Sequence, residues 1–246
     1  MNPSVEDSMA ARVAGIRARI DAACARAGRD PSEVALLPVS KTFGEPAIRQ
    51  AVALGLRRFG ENKVQELRQK AESAELAGSG IDWVMIGHLQ TNKARDVARL
   101  AAEVQSVDRL DLALALERRL QHEGRAIDVL VQVKTSDEPS KYGVPPDALP
   151  GLLDELARMD TLRVRGLMTL AIHSDEPVRV RACFRLLREL RDRLRDGGSP
   201  LQRLSMGMSG DFEIAVEEGS TEVRIGTAIF GARAYGDSHY WPESPR

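Results

Sequence analysis

Residues 34–59 read Val34-Ala35-Leu36-Leu37-Pro38-Val39-Ser40-Lys41-Thr42-Phe43-Gly44-Glu45-Pro46-Ala47-Ile48-Arg49-Gln50-Ala51-Val52-Ala53-Leu54-Gly55-Leu56-Arg57-Arg58-Phe59. A short β-like run at 34–40 gives way to an amphipathic stretch at 45–54 with helical spacing, and a second β-like run begins at 57. Working outward, the same alternation recurs along the chain. The β-like runs fall at 34–40, 57–59, 83–86, 104–107, 127–133, 163–168, 201–206 and 222–225, and helical patterns at 45–54, 63–76, 110–122, 149–159 and 178–194 lie between them. Repeated βα units imply a parallel sheet, and eight of them in 246 residues is the size of a closed (β/α)8 barrel, a TIM barrel. The other candidate, an open doubly wound sheet, lacks a G-x-G-x-x-G after its first strand.

Before the first unit, Val5, Met9, Val13, Ile16 and Ile20 recur at helical spacing and Gly28 supplies a stop, so 1–29 reads as an added N-terminal helix. Residues 234–246 combine Gly236, Pro242 and Pro245 with Tyr235, Tyr240 and Trp241 and read as an irregular tail. With no change of composition between them, 1–246 is expected to be a single domain.

Hydrophobic residues make up 43% of the chain, enough for a large core, and Lys plus Arg (35) balance Asp plus Glu (36) to a net charge of -1. That leaves no basic field for nucleic acid. Two cysteines, Cys24 and Cys183, exclude a disulfide scaffold and suit a reducing cytoplasm. No segment approaches the roughly 18 uncharged residues of a membrane span. Residues 10–29 are rich in Arg and Ala, as transit peptides are, but Asp21 and the regular apolar spacing favour an ordinary helix.

In such a barrel, chemistry belongs to the C-terminal ends of the strands. The first strand delivers Lys41 there. A lysine at a half-buried strand end can keep part of its amine neutral and attack an aldehyde to form a Schiff base, although a surface lysine ending a strand looks the same in sequence. The seventh strand is followed by Ser205-Met206-Gly207-Met208-Ser209-Gly210-Asp211 and the eighth by Arg224-Ile225-Gly226-Thr227. Glycines admit an anion close to backbone N–H groups, and Ser209 and Thr227 add hydroxyl donors. Each loop leads toward a helix N-terminus at the position where this barrel commonly binds phosphate. Asp211 would repel phosphate and is expected to cap the next helix instead. An imine-forming lysine and a phosphate cup on one barrel face are what pyridoxal 5'-phosphate requires.

Beyond these two features, the chain carries Phe59-Gly60-Glu61-Asn62, Ile86-Gly87-His88-Leu89-Gln90 with Asn92-Lys93, Ser106-Val107-Asp108, Gly166-Leu167-Met168-Thr169 and 223–231, VRIGTAIFG. With Val39-Ser40-Lys41-Thr42 and 205–209 they make the chain resemble the pyridoxal phosphate homeostasis proteins (the YggS/PROSC family). Through them it resembles the barrel domain of alanine racemase, the type III fold of pyridoxal phosphate proteins. The resemblance implies that Lys41 forms the Schiff base, that Ser209, Gly226 and Thr227 hold the phosphate, that Arg224 faces the pyridine nitrogen, and that Asn62 lines the pocket. Lys63, where a tyrosine is common, and Phe43-Gly44, in place of a more polar pair, depart from the pattern at the pocket rim.

Other residues weigh less. His88, His122, His173 and His239 are too scattered for a metal site. His88 reads as a hydrogen-bonded structural histidine near the ligand end, and Asn92 and Lys93 as a solvated helix start. The polar loop 134–146, with Lys141 and Tyr142, could cover the mouth. Residues 179–195 read as an amphipathic helix with Leu186, Leu187, Leu190 and Leu194 on one face. The resemblance implies a protein that holds pyridoxal phosphate and delivers it to apo-forms of its enzymes, with no substantial turnover, as a cytoplasmic monomer. A racemase would need a second acid–base group, which in alanine racemase comes from an additional domain that this sequence does not show. That racemase is the alternative, and a phosphate-ester enzyme using Lys41 without cofactor is a third reading.

Overall fold

The computed structural model describes residues 8–139 and 141–231. The first helix, α1 (Met9–Ala27), starts where the Ser8 side chain accepts the Ala11 N–H at 3.1 Å and stops at Gly28, whose φ of 64° an L side chain rarely adopts. Its buried stripe of Met9, Val13, Ile16, Ile20 and Ala23 packs on the barrel beside the two last helices. The 1–7 part of the expected helix and the expected tail lie outside the described residues.

Eight strands follow: β1 (Ala35–Pro38), β2 (Arg58–Glu61), β3 (Asp82–Met85), β4 (Glu103–Val107), β5 (Ile127–Gln132), β6 (Leu162–Met168), β7 (Arg203–Ser205) and β8 (Glu222–Ile225). All pair in parallel in the order β1-β8-β7-β6-β5-β4-β3-β2, and a Val39–Gly60 bridge joins β1 to β2 across the remaining seam. The sheet is therefore a (β/α)8 barrel of the expected kind. Gly60 suits the seam because a Cβ there would lie 3.1 Å from Ile86 Cδ1. Gly166 lets β6 approach β7, where a Cβ would fall 2.0 Å from the Arg203 carbonyl oxygen.

The connecting helices are α2 (Glu45–Ala53), α3 (Val64–Ala71), α4 (Ala94–Leu100), α5 (Leu110–Glu123), α6 (Leu149–Leu156), α7 (Pro177–Asp196), α8 (Phe212–Glu217) and α9 (Thr227–Phe230). The pattern at 63–76 overshoots α3, which gives way to turns after Ala71 and a positive φ at Gly78. In α7, Leu187 and Leu190 are buried while Leu186 and Leu194 pack partly against the core. Its solvent face is held by ion pairs of Arg181, Arg185 and Arg188 with Glu217 and Glu218. Cys24 and Cys183 are buried and free. Among the described residues no helix is long and apolar enough to cross a membrane.

Candidate functional site

The six residues expected at the site all lie at or just beyond the C-terminal ends of β2, β1, β8 and β7, which are consecutive around the ring. Val39 N–H bonds to the Ile225 carbonyl at 2.8 Å and Ser40 N–H to the Gly60 carbonyl at 3.1 Å. The segment carrying half-buried Lys41 is thus stitched on one side to the Gly226-Thr227 turn and on the other to the Glu61-Asn62 corner. Asn62 is half-buried, and its backbone packs so closely on Gly87 that a Cβ there would fall 2.1 Å from the Asn62 carbonyl oxygen.

Around Lys41 the structure adds groups that the sequence pattern concealed. Thr42 has φ 70°, a conformation costing a β-branched residue about 1–3 kcal/mol. Its N–H bonds to Glu66 Oε2 at 2.7 Å. Buried Lys70 donates to the Ser40 carbonyl at 2.8 Å and to Glu61 Oε1 at 2.6 Å, and the Ser40 hydroxyl donates to Glu61 Oε1 at 2.5 Å. Burial raises the Glu61 carboxyl above the usual range against the pull of Lys70. The sequence signal was available only as polar residues on an otherwise ordinary helix, Glu66 and Lys70, one turn apart.

The loop after β7 turns at Gly207, whose φ is 96° and where a Cβ would lie 2.6 Å from Ala215 Cβ and 2.9 Å from Phe212 Cα. Gly226 presses against β1, with a Cβ position 3.3 Å from the Val39 carbonyl oxygen. Ser209 is half-buried and Thr227 exposed, so both hydroxyls can reach a ligand from outside the barrel. Asp211 corrects an expectation. It stands at the N-cap of α8, yet its side chain makes no cap hydrogen bond and instead accepts the Met208 N–H at 2.6 Å, closing the 208–211 turn. Desolvation holds its carboxyl above the ordinary range, against the opposing pull of the Met208 N–H, Arg224 and Lys141.

Arg224 is 3% exposed and donates from Nη1 to Ser205 Oγ at 2.8 Å and from Nη2 to the Thr169 carbonyl at 2.7 Å. Burial pushes its pKa down to about 10, with Glu222 and Asp211 opposing, so it remains a cation near neutrality. Beneath it the barrel interior is charged. Arg58 and Arg203 each bond to both Glu103 and Glu222 at 2.7–2.9 Å. Gln105 donates to Glu103 Oε1 at 2.7 Å and to Glu222 Oε1 at 2.5 Å and accepts the Ser205 hydroxyl at 2.7 Å. A continuous polar chain therefore runs from the strand starts to the Arg224 guanidinium.

At the rim, the 134–146 loop folds back through the Val133–Val144 bridge and brings Tyr142 onto His88, ring centroids 3.8 Å apart and nearly parallel. Among the described residues His88 lacks the hydrogen bond expected of it. Asp108 stands 3.7 Å away, and burial lowers the ring's pKa against the pull of that carboxylate. Phe43 stacks on Phe230 of α9 at 5.0 Å, while Lys63 is an exposed residue at the start of α3. Asn92 and Lys93 occupy a short turn leading into α4.

Residues 12–234 match the family model of the alanine racemase N-terminal domain. A curated relative, the pyridoxal phosphate homeostasis protein of Pseudomonas aeruginosa, is 45% identical over 229 residues, covering 93% of this chain and 97% of the relative. The structure of PipY from Synechococcus elongatus with PLP bound matches at TM-score 0.79 and 35% identity, over 91% of this chain and all of that one. Alanine racemase from Clostridium difficile shares the fold at TM-score 0.69 and 13% identity, over 94% of this chain and 58% of its own.

Proposed function

The chain belongs to the alanine racemase N-terminal domain family and, within it, to the pyridoxal phosphate homeostasis proteins, and from that premise we propose that it holds pyridoxal 5'-phosphate and hands it on without substantial turnover of its own. The observation that carries the reading is one of juxtaposition. An amine (Lys41), two glycine turns with hydroxyls (Ser209, and Gly226 with Thr227) and a buried guanidinium (Arg224) stand on adjoining strand ends, with Asn62 on the far side of Lys41. The donor set fits the cofactor: an amine for its aldehyde, hydroxyls and N–H groups for its phosphate, and a donor-only group for its ring nitrogen. The glycine cradle fits as well, since a Cβ at Gly226 would crowd the Val39 carbonyl.

When bound, the cofactor supplies an aldehyde and an electron sink. The Lys41 amine condenses with that aldehyde, forming C=N and releasing the oxygen as water, with no oxidant needed. Arg224 keeps its own proton and can only donate to the ring nitrogen, which stays unprotonated and draws electrons weakly. That disfavours carbanion chemistry and supports a carrier. The relatives' names, which speak of homeostasis rather than of an enzyme, support the same reading. In this reading the chain works in the cytoplasm as one domain and a monomer, with apo-enzymes of the cofactor as transient recipients.

The test is borohydride reduction of the loaded protein followed by peptide mapping, with the label expected on Lys41. A label on Lys141 or Lys93 with Lys41 unmodified would remove the assignment. Mixing the loaded protein with an apo-transaminase should restore transaminase activity. The racemase alternative requires the opposite result in deuterated water: rapid α-proton exchange of some amino acid, abolished by Lys41→Ala.

A further inference from the structure

We propose that Glu66 and Lys70, one turn apart on α3, are positioning residues that clamp the backbone on both sides of Lys41 and so set the reach of its amine toward an aldehyde. The inference rests on the cofactor reading above and assigns it a part of the machinery that lies outside the pocket. Lys70 donates to the Ser40 carbonyl, which belongs to the peptide entering Lys41, at 2.8 Å. Glu66 accepts the Thr42 N–H, which belongs to the peptide leaving Lys41, at 2.7 Å. Both peptide planes that define the Lys41 backbone are thus held from one helix, and Lys70 and Glu66 also face each other at 3.4 Å. All three donors of the Lys70 ammonium are used, the third on Glu61 at 2.6 Å.

Two features separate this cluster from ordinary packing. The Lys70 and Glu61 side chains are 8% and 0% exposed, and a buried ion pair is commonly no more stabilising than an apolar pair of the same shape. Among the described residues, Glu61 Oε2 of that pair and the neighbouring Thr42 Oγ1 are also buried with no hydrogen-bond partner. Such costs are borne where a backbone must be held in a conformation it would otherwise leave. Here that conformation is Thr42 at φ 70°, directly after Lys41, and no other non-glycine described residue has a positive φ. A lysine has four side-chain torsions to order, so a fixed base narrows the volume its amine explores.

The experiment compares pyridoxal 5'-phosphate with pyridoxine 5'-phosphate, whose alcohol cannot condense with an amine but whose phosphate and ring are the same. Native protein, Glu66→Ala, Glu66→Gln, Lys70→Met and Lys70→Arg are titrated with both, and borohydride trapping at Lys41 is timed. Glu66→Ala and Lys70→Met should weaken pyridoxal phosphate at least tenfold and slow trapping, while pyridoxine phosphate binding stays within twofold. Glu66→Gln, which keeps an oxygen for the Thr42 N–H, should recover most of the loss. Equal loss for both ligands would show a merely structural role, and no loss for either would remove the clamp altogether. Should Lys70→Met fail to fold, Glu66→Ala, at a side chain one quarter exposed, decides the matter with its melting curve as control. A native protein that traps no cofactor at Lys41 would sink the underlying reading, and the clamp's role with it. That outcome is distinct from a native protein that traps while the variants behave like it.

Discussion

Gly207 and Gly210 stand in the same loop and make opposite demands. Gly207 combines a φ of 96° with a Cβ position 2.6 Å from Ala215 Cβ, whereas nothing lies within 4 Å of a Cβ built at Gly210. Gly207→Ala must strain the turn and push α8 outward, at a cost of about 1–3 kcal/mol or more. Gly210→Ala should stay within about 0.5 kcal/mol of the native protein. Urea midpoints of the two variants check both numbers, and a tolerated Gly207→Ala would mean the turn relaxes freely. Asp211 in the same loop carries a pH signature. Its folded pKa is raised, so the folded state keeps this proton longer than the unfolded chain does. Stability from this group is greatest below the unfolded carboxylate value of about 3.9 and falls as pH rises from there through the folded value. Asp211→Asn keeps the acceptor for the Met208 N–H without the titration. It should therefore gain on the native protein between pH 3 and pH 7 in paired denaturation curves, and a constant difference would contradict the assignment.

α1 is an element added to the eight βα units, and its job can be weighed by magnitudes. Its outer face pairs Arg19 with Glu213 at 2.7 Å and Arg26 with Glu217 at 2.8 Å, but these arginine side chains are about half exposed and such pairs are worth 1 kcal/mol or less. Its inner face buries Ile16 at 3% exposure, where loss of three carbons costs about 2–5 kcal/mol. Ile16→Ala should thus lower the urea midpoint well beyond Arg19→Ala. Arg12 Nε also donates to the Ile229 carbonyl on α9 at 2.8 Å, which ties this helix to the Gly226-Thr227 turn. Much of this level was legible in the sequence. The stripe of α1 and its Gly28 stop follow from a period of 3.6 and from the freedom of glycine at positive φ, and all eight strands lie within or beside the apolar runs. Short helices were harder to delimit: α4, α8 and α9 have seven, six and four residues, less than the two or three turns a period needs to declare itself.

Across the whole molecule, the groups nearest the expected ligand were readable because glycines, hydroxyls and a lysine at strand ends advertise themselves locally, while what supports them was not. Arg58 on β2 meets Glu222 on β8, 164 positions away, and only barrel closure makes them neighbours. The polar residues at two-residue spacing, Glu103 and Gln105, Arg203 and Ser205, Glu222 and Arg224, look like the exposed face of a sheet edge. In a closed barrel that face points inward, and charges that sequence statistics send to solvent form the interior instead. Glu222 is the hinge of this network, accepting from Arg58, Arg203 and Gln105, with the Ser205 hydroxyl oxygen 3.0 Å from its Oε1. Removing its charge leaves Arg58 and Arg203 to share the single carboxylate of Glu103, so Glu222→Gln should cost up to about 3–5 kcal/mol at neutral pH, the range for breaking a buried pair from one side. The pH dependence follows from the sign of the shift. Burial raises the Glu222 pKa, but Arg203 and Arg58 outweigh it and hold the carboxyl below the ordinary glutamate range. Its contribution is therefore complete above the unfolded value of about 4.3 and is lost as pH falls from there through the depressed folded value. Denaturation curves of the native protein and Glu222→Gln should accordingly lie far apart at pH 7 and draw progressively closer as pH falls below about 4.3. Curves that stay equally far apart would mean that Glu222 is not the ionised centre of the interior, and that the chain reaching up to Arg224 is held by some other group.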